Sequence, residues 1–343
     1  MGQSLAIKYR PKTLEEICGQ SITTKILEKA IEQKNFKHAY LFAGDSGCGK
    51  TTCARAFANA INQGLGQPIE LDGGSNGNID SIRNILSAAN ERSLDSEYKI
   101  FIIDECHNLG GNVKNSPAWA ALLKGLEEPA PYSIFLFCTT DPNKLPEAIL
   151  NRLQRYNITK IDAETIKNRL IYICQQEGFT NYEATCDLIS KISNGCMRDA
   201  IMKLEQCSNY SKELSLENAK LILTDISYEA MFRLTVALQD KQEDQVLNII
   251  EKLYNSGNDL RNFINSYLEF TLDLTKYILF KNMQLTNIPV YLEPAVKQAI
   301  QINDSLNWFK AFADLLLNIK IEIKNDTSYK STIEAYFLWA CRY

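Results

Sequence analysis

Residues 44–51 read GDSGCGKT, and their types and spacing are those of a phosphate-binding loop. Glycines let the backbone wrap around phosphate oxygens, and amides at the start of a following helix point at them. A lysine neutralises the β and γ oxygens, and a hydroxyl is offered to Mg²⁺. The alternative is a chance glycine turn, but the apolar run AYLFA before the loop and an Ala-rich helical pattern after it favour a nucleotide site. The expected binding residues are Gly44, Gly47, Cys48, Gly49, Lys50, Thr51 and Thr52.

Two acidic residues follow another apolar run, in the stretch IFIIDECHNL at residues 100–109. Asp104 is expected to hold Mg²⁺ with Thr51, and Glu105 to orient or deprotonate an attacking water. The alternative is a solvated acidic turn that caps a helix, which the neighbouring phosphate loop disfavours. His107 is expected to be structural rather than catalytic.

A third run, SIFLFC at residues 133–138, ends in two threonines and a turn. A threonine at this strand end could hold the attacking water or a γ-phosphate oxygen, and Thr140 is preferred over Thr139. The competing interpretation is a Thr-Asp turn that caps the next helix.

These residues need strands and helices to position them, and the first 160 residues supply both. The runs 39–43, 99–103 and 133–138 are continuously apolar, which is typical of strands covered on both faces of a parallel sheet. Between them, one helical face is expected at Ile22, Ile26, Leu27, Ala30 and Ile31, and another at Ile79, Ile82, Leu86 and Ala89. Residues 1–160 are therefore predicted to be an α/β domain.

Beyond Ile161 the apolar spacing is helical, and Asn194 with Gly195 divides it into pieces. A second long helical region is expected from Ile226 and Ser227 onward. The sequence therefore predicts a small helical domain at 161–225 and an all-α domain at 226–343.

The amino-acid composition limits the classes of function that the protein can have. The 343 residues are 45% hydrophobic with a net charge of −4, which argues against a wholly basic nucleic-acid coat and leaves room for a local patch. Ten scattered cysteines without a CxxC pair, and only two histidines, indicate a reducing compartment and no zinc site. We see no signal peptide or membrane span, so a cytoplasmic location, in a bacterial or phage-infected cell, is expected.

Five segments in this order carry a family resemblance: HAYLFAGDSGCGKTTCARAFANAI, IDECHNL, ALLKGLEEP, CTTDPNKLPEAILNR and NGCMRDAI. Together they resemble the ATPase subunits of bacterial sliding-clamp loaders, the gamma/tau subunits of DNA polymerase III, which belong to the AAA+ class. The opening KYRPKTLEEICGQ, residues 8–20, is similar to the segment before the nucleotide site in that family and in replication factor C. The resemblance is good over residues 8 to about 210 and weak beyond.

The resemblance implies roles that spacing cannot assign. It places Tyr9, Arg10 and Pro11 at the adenine pocket, Thr140 as the sensor at its strand end, and Arg198 as a lid arginine facing the γ-phosphate. For Arg198 the alternative is an ion pair at a helix start, for example with Asp199. It also implies ATP and Mg²⁺ as cofactors, a lid at 161–225 and an oligomerisation collar at 226–343.

The stretch ILNRLQRY, residues 149–156, contains two arginines that either decorate a solvated surface or reach a neighbouring site. The family pattern here is Ser-Arg-Cys, and this chain keeps only the arginine, in Asn151-Arg152-Leu153. The resemblance implies that Arg152 acts in trans on a neighbour's ATP, as arginine fingers do. Arg155 is expected to be structural or at the surface.

The implied function is ATP-dependent opening and loading of a sliding clamp onto primer-template DNA, within a ring of other clamp loader subunits that is expected to be pentameric. Two departures from the family are expected: residues 61–74 contain no cysteine where the family has a zinc module, and the tau tail is expected to be absent. A compact or phage-encoded subunit fits both.

Competing interpretations are another AAA+ motor, acting in recombination or at Holliday junctions, and an ATP-binding scaffold that does not hydrolyse. Candidate DNA contacts are Arg83, Arg92, Lys114 and Lys124, for each of which a solvated helix face is the alternative.

Overall fold

A computed structural model describes residues 3–111, 113–114, 116–223, 228–256, 259–302, 304–324 and 326–342. The chain divides into two compact units. The first comprises residues up to Phe179 together with Ser193–Gln206, and the second comprises Thr180–Ile192 and the residues from Cys207 onward. The predicted domain boundaries at 160 and 225 stay predictions, and Ile226 and Ser227 lie outside the described residues.

A parallel sheet of five strands forms the centre of the first unit, in the order β2-β3-β4-β1-β5. The strands are β1 (Ala39–Gly44), β2 (Ile69–Asp72), β3 (Lys99–Asp104), β4 (Ser133–Thr139) and β5 (Gln154–Ile158). The three apolar runs are β1, β3 and β4, which lie in the middle of the sheet and are buried on both faces, so their prediction is confirmed. Strands β2 and β5 were not predicted, because these edge strands are partly exposed and carry polar residues.

Helices cover both faces of the sheet. The helices of the first unit are α1 (Leu5–Lys8), α2 (Ser21–Glu32), α3 (Lys50–Ile61), α4 (Ile79–Ala89), α5 (Pro117–Glu127), α6 (Glu147–Leu150), α7 (Ala163–Glu177) and, from Met197, most of α9 (Met197–Tyr210). Successive residues of β1 point to opposite faces, so Phe42 packs in one core with Phe57 of α3, and Leu41 in another with Trp119 of α5. Trp119 is therefore a core residue of this unit.

Helix α2 forms where its pattern predicted, but the buried face is different. Leu27 is fully buried together with Thr23 and Thr24, whereas Ile22 is 76% and Ile26 44% exposed. The expected stripe was wrong at these two positions because the helix packs through Leu27 and the threonines. Two isoleucines one turn apart consequently face away from the core.

The second unit is built from helices, as the spacing beyond Ile161 predicted. Its helices are α8 (Glu183–Ile192), α10 (Leu216–Leu223), α11 (Tyr228–Gln239), α12 (Glu243–Asn255), α13 (Leu260–Phe280), α14 (Glu293–Ala299), α15 (Ser305–Glu322) and α16 (Tyr329–Arg342). One apolar core joins α11 to α16, with Tyr267, Phe309 and Phe337 fully buried in it. The buried hydroxyl of Tyr267 still has a hydrogen-bond partner, because it lies 2.9 Å from Thr235 Oγ1.

Within the described ranges, none of these helices combines the length and the apolar character that a membrane crossing requires.

Candidate functional site

The loop between β1 and α3 takes the shape of a phosphate cradle. Gly47 and Gly49 have φ angles of 72° and 102°, in the left-handed region that favours glycine. A Cβ atom on Gly47 would lie 2.1 Å from Cys196 Sγ, and one on Gly44 would lie 2.0 Å from the Ile158 carbonyl oxygen. Glycine is thus required at 47 by both conformation and space, and at 44 by the close approach of β5.

The charged and hydroxyl groups of this loop meet the end of β3. Lys50 is only 5% exposed, and its ammonium donates to the Asp45 carbonyl oxygen at 3.0 Å. Thr51 Oγ1 donates to Asp104 Oδ2 at 2.8 Å. A hydroxyl and a carboxylate side by side are the oxygen ligands that Mg²⁺ prefers. The two residues predicted to hold the metal, Thr51 and Asp104, therefore lie next to each other beside Lys50.

Glu105 occupies a strained position at the same strand end. Its φ is 42°, which is uncommon for a residue with a side chain, and its N–H donates to Asp104 Oδ1 at 3.0 Å. Its carboxylate oxygen Oε2 accepts from Thr140 Oγ1 at 3.3 Å and lies 3.3 Å from His107 Nδ1. Thr139, by contrast, is fully buried, with its Oγ1 3.0 Å from His107 Nδ1. Of the two threonines, Thr140 is the one in contact with the proposed catalytic carboxylate.

The phosphate loop, Asp104 and Glu105 line a cavity of about 320 Å³ in the first unit. The predicted residues that line it are Tyr9, Arg10, Pro11, Gly47, Cys48, Gly49, Lys50, Thr51, Thr52, Asp104, Glu105 and Arg198. Gly44, Thr140 and Arg152 are outside the lining: Gly44 packs against β5 and Thr140 lies behind Glu105. Further lining residues that sequence reasoning did not single out are Ala6, Ile17, Cys18, Ser46, Arg55, Ile161, Arg169, Met197 and Ile201.

Arg198 lies near the start of α9, close to the phosphate loop. Its Cβ is 3.7 Å from the point where a Cβ of Gly47 would stand. The turn at Asn194 and Gly195, both with positive φ, ends α8 and lets α9 begin at Met197. Cys196 Sγ accepts from the Asp199 N–H at 3.4 Å, so this cysteine caps the helix that carries Arg198.

Arg55 was not predicted as a site residue. Its spacing did give a signal, because it lies four residues after Thr51 and therefore on the same side of α3. Its guanidinium makes two hydrogen bonds to Glu70 of β2, at 2.7 and 2.5 Å. This pairing, with a smaller contribution from Asp104, raises the pKa of Arg55. Arg55 therefore brings a fixed positive charge to the same cavity wall as Asp104.

Arg152 lies away from its own chain's cavity, just after α6. Its Nη2 is 2.6 Å from Glu127 Oε1 and its Nη1 donates to the Ala148 carbonyl oxygen at 2.7 Å. The side chain remains 37% exposed. Arg155 in β5 donates to Asn157 at 2.9 Å. Arg152 thus contacts Glu127 and Ala148 and does not line its own chain's cavity, and its role in trans stays a prediction.

The candidate DNA contacts are surface residues, and two of them lie close to one neighbouring side chain each. Arg83 lies 3.5 Å from Asp80, and the Arg92 guanidinium is 3.9 Å from the centre of the Tyr132 ring. For Arg83 and Arg92, as for Lys114 and Lys124, a contact with DNA stays a prediction.

Cysteine side chains are mostly core groups. Eight of the ten are buried, whereas Cys18 and Cys196 are intermediate in exposure, and all ten are free. In the described part of the chain, no group of three or more His, Cys, Asp or Glu side chains is arranged to hold a metal ion.

Burial controls the reactivity of these thiols. It raises the pKa of Cys53 to about 12, so almost none of this thiol is thiolate at neutral pH. We expect iodoacetamide at pH 8 to modify Cys18 and Cys196 before Cys53, as read by mass spectrometry of peptides. Because Cys18 lines the cavity, MgATP is expected to slow its modification. Equal labelling of Cys53 and Cys18 in the folded chain would contradict the assignment.

Comparison with known proteins agrees with these features. The family profile described as "DNA polymerase III, delta subunit" matches residues 19–70 and 66–162. The tau subunit of DNA polymerase III from Bacillus subtilis is 33% identical over 297 residues, which cover 80% of this chain and 52% of that protein. The gamma subunit from Buchnera aphidicola is 30% identical, with 78% of each chain covered. The chain spans about half the length of several of the curated relatives it matches.

Among solved structures, the Holliday junction branch migration motor RuvB of Thermotoga maritima shares the fold. Its TM-score is 0.53 at 20% identity, over 67% of this chain and 79% of that one. This likeness shows a shared fold, and the gamma subunit relative establishes the family. The chain therefore belongs to the DNA polymerase III gamma/tau family.

Proposed function

We propose that this chain binds and hydrolyses MgATP and uses the energy, within an oligomeric clamp loader, to open a sliding clamp and load it onto primer-template DNA. One observation carries the ATPase proposal: Lys50, Thr51, Asp104, Glu105 and Arg198 line a single cavity behind a glycine-built phosphate loop. Clamp loading is supported by the family membership alone, because fold does not by itself assign a function.

Each side chain has a role that its position supports. Lys50 is aimed into the loop and would neutralise phosphate charge, while Thr51 and Asp104 would hold Mg²⁺, which when bound neutralises phosphate oxygens and orients the reacting group. Glu105 would orient the attacking water and accept its proton, with Thr140 restraining the carboxylate. Arg198 would contact the γ-phosphate from α9.

The reaction would be completed by a neighbouring subunit. Arg152 is exposed and outside its own cavity, which supports a role at the ATP of an adjacent subunit. ATP bound between subunits would then stabilise the clamp-holding arrangement, and its hydrolysis would release it. Other loader subunits, the clamp and primer-template DNA are thus the proposed partners.

Capture of the clamp is the test that separates loading from other AAA+ activities. The chain, assembled with its partner subunits, is expected to retain the sliding clamp of the same organism on beads only with ATP present. Lys50→Ala is expected to abolish this retention, because the ammonium that neutralises the phosphates is lost.

Lys25→Ala, which removes an exposed lysine of α2, serves as the matched control and is expected to retain the clamp. Retention that is independent of ATP, or no retention by the unaltered complex, would contradict clamp loading. Branch migration of a four-way junction by the same complex would favour the rival motor.

A further inference from the structure

Residues 4–9 are anchored at one end by a single carboxylate. Ser4 Oγ donates to Glu205 Oε2 at 2.7 Å, and the Leu5 N–H donates to Glu205 Oε1 at 3.1 Å. Leu5 begins α1, whose first amides have no partner within the helix. Glu205 of α9 therefore satisfies the start of a short helix about 200 residues earlier in the sequence.

A second carboxylate anchors the other end of α1. Lys8 Nζ lies 2.6 Å from Glu177 Oε1, and the Tyr9 hydroxyl donates to the same oxygen. Arg169, on the same helix α7 as Glu177, donates from Nη2 to the Tyr9 carbonyl oxygen at 3.0 Å. Tyr9 is thus held at both its backbone and its side chain. We refer to the contacts of Lys8 and Tyr9 with Glu177 and Arg169 as the α7 anchor.

Electrostatics agree with this geometry. Hydrogen bonds from Lys8 and then Tyr9 lower the pKa of Glu177, so its carboxylate is charged across the neutral range. Burial, followed by the hydrogen bond to Glu177, raises the pKa of Tyr9 to about 12, so the phenol keeps the proton that it donates. The α7 anchor is therefore fully formed at neutral pH.

Only some residues of the α7 anchor line the cavity. Tyr9, Arg10 and Pro11 line the cavity, and so does Arg169, whereas Glu177 is not part of the lining. The lining divides chemically into charged and hydroxyl groups around the phosphate loop and a second, mostly apolar set. This second set comprises Ala6, Pro11, Ile17, Ile161, Met197 and Ile201. A flat nucleobase fits an apolar wall, and a triphosphate does not.

We propose that Glu177 is a positioning residue for the nucleobase, which fixes the wall formed by residues 9–11 through its contacts with Lys8 and Tyr9. This inference rests on the proposed function, and it assigns to Glu177 an effect on the base part of ATP alone. The phosphate part is held by Lys50 and its neighbours, which make no contact with Glu177 in the hydrogen bonds and ion pairs described for these residues.

The test compares a ligand that has a base with one that lacks it. Affinities of MgATP and of magnesium tripolyphosphate are measured by calorimetry for the unaltered chain, Glu177→Ala and Glu177→Gln. We expect Glu177→Ala to weaken ATP binding roughly tenfold, the effect of losing one charged hydrogen-bonding partner of a binding wall. Tripolyphosphate affinity is expected to stay within about twofold. Glu177→Gln, which keeps an acceptor oxygen for Tyr9, is expected to weaken ATP binding less.

The matched control is Glu164→Ala, which removes an exposed carboxylate from the first turn of the same helix and is expected to bind both ligands normally. Thermal unfolding checks that each variant is folded, and if Glu177→Ala is not, Glu177→Gln carries the comparison.

Unchanged ATP affinity in the folded Glu177 variants would overturn the inference, as would equal weakening for ATP and tripolyphosphate. A chain that in its unaltered form binds neither ligand would instead overturn the proposed function.

Discussion

Arg152→Ala is expected to lower ATP turnover of the assembled oligomer by about 10³-fold or more, the range found for arginine fingers. The reason is that the guanidinium of one subunit would stabilise charge on the phosphoryl group bound by the next. Affinity for ATP measured on the isolated chain is expected to be unchanged, because Arg152 lies outside its own cavity. Steady-state phosphate release and calorimetry measure the two quantities.

Mixing variants tests whether this arginine acts in trans. A Lys50→Ala subunit has a defective site of its own but presents an intact Arg152, and an Arg152→Ala subunit has the reverse. Each variant alone is expected to be inactive, and their mixture is expected to recover turnover at the interfaces where an intact site meets an intact arginine. A mixture as inactive as its components would refute the assignment.

Two matched variants serve as controls for this test. Glu127→Ala removes the ion-pair partner 2.6 Å from Arg152, and because exposed ion pairs contribute only about 0–1 kcal/mol, turnover is expected to persist. Arg155→Ala removes the other arginine of the same stretch and is expected to behave like the unaltered chain. Loss of turnover in Arg155→Ala alone would point to the wrong arginine having been chosen.

Glu105→Gln is expected to lower ATP turnover by about 10²–10⁴-fold, the usual contribution of a general base. An amide keeps the size of the side chain but cannot accept a proton from water. ATP binding is expected to remain, since Lys50, Thr51 and Asp104 are unchanged. Single-turnover hydrolysis and calorimetry on the same preparation measure both.

Glu97→Gln, on an exposed loop before β3, is the matched control and is expected to hydrolyse ATP normally. Turnover in Glu105→Gln equal to that of the unaltered chain would leave the non-hydrolysing scaffold as the better interpretation.

The charged and hydroxyl residues that line the cavity were easier to predict from the sequence than the residues of its other walls. The phosphate loop, Asp104 and Glu105 were predictable because glycine spacing and strand-end carboxylates have a recognisable order along the chain. Arg169 was not, because it reaches Tyr9 from 160 positions away and nothing local marks that contact. Contacts between distant segments depend on packing, which a single sequence does not display.

The same limit applied to secondary structure. Buried central strands are continuous apolar runs, whereas β5 alternates polar residues with the buried Tyr156 and Ile158 and was not predicted. In α2, the spacing gave the helix but not the side that packs, because Thr23 and Thr24 are small enough to approach the core in place of Ile22 and Ile26.

The contact between Gly47 and Cys196 constrains how this sequence can vary. The sulfur of Cys196 occupies the space where a side chain at position 47 would begin, and the same cysteine caps the helix that bears Arg198. A larger residue at either position would separate the phosphate loop from that helix. Gly47 is also fixed by its left-handed φ angle, so the size of the side chain allowed at position 196 is limited by a glycine nearly 150 residues earlier in the sequence.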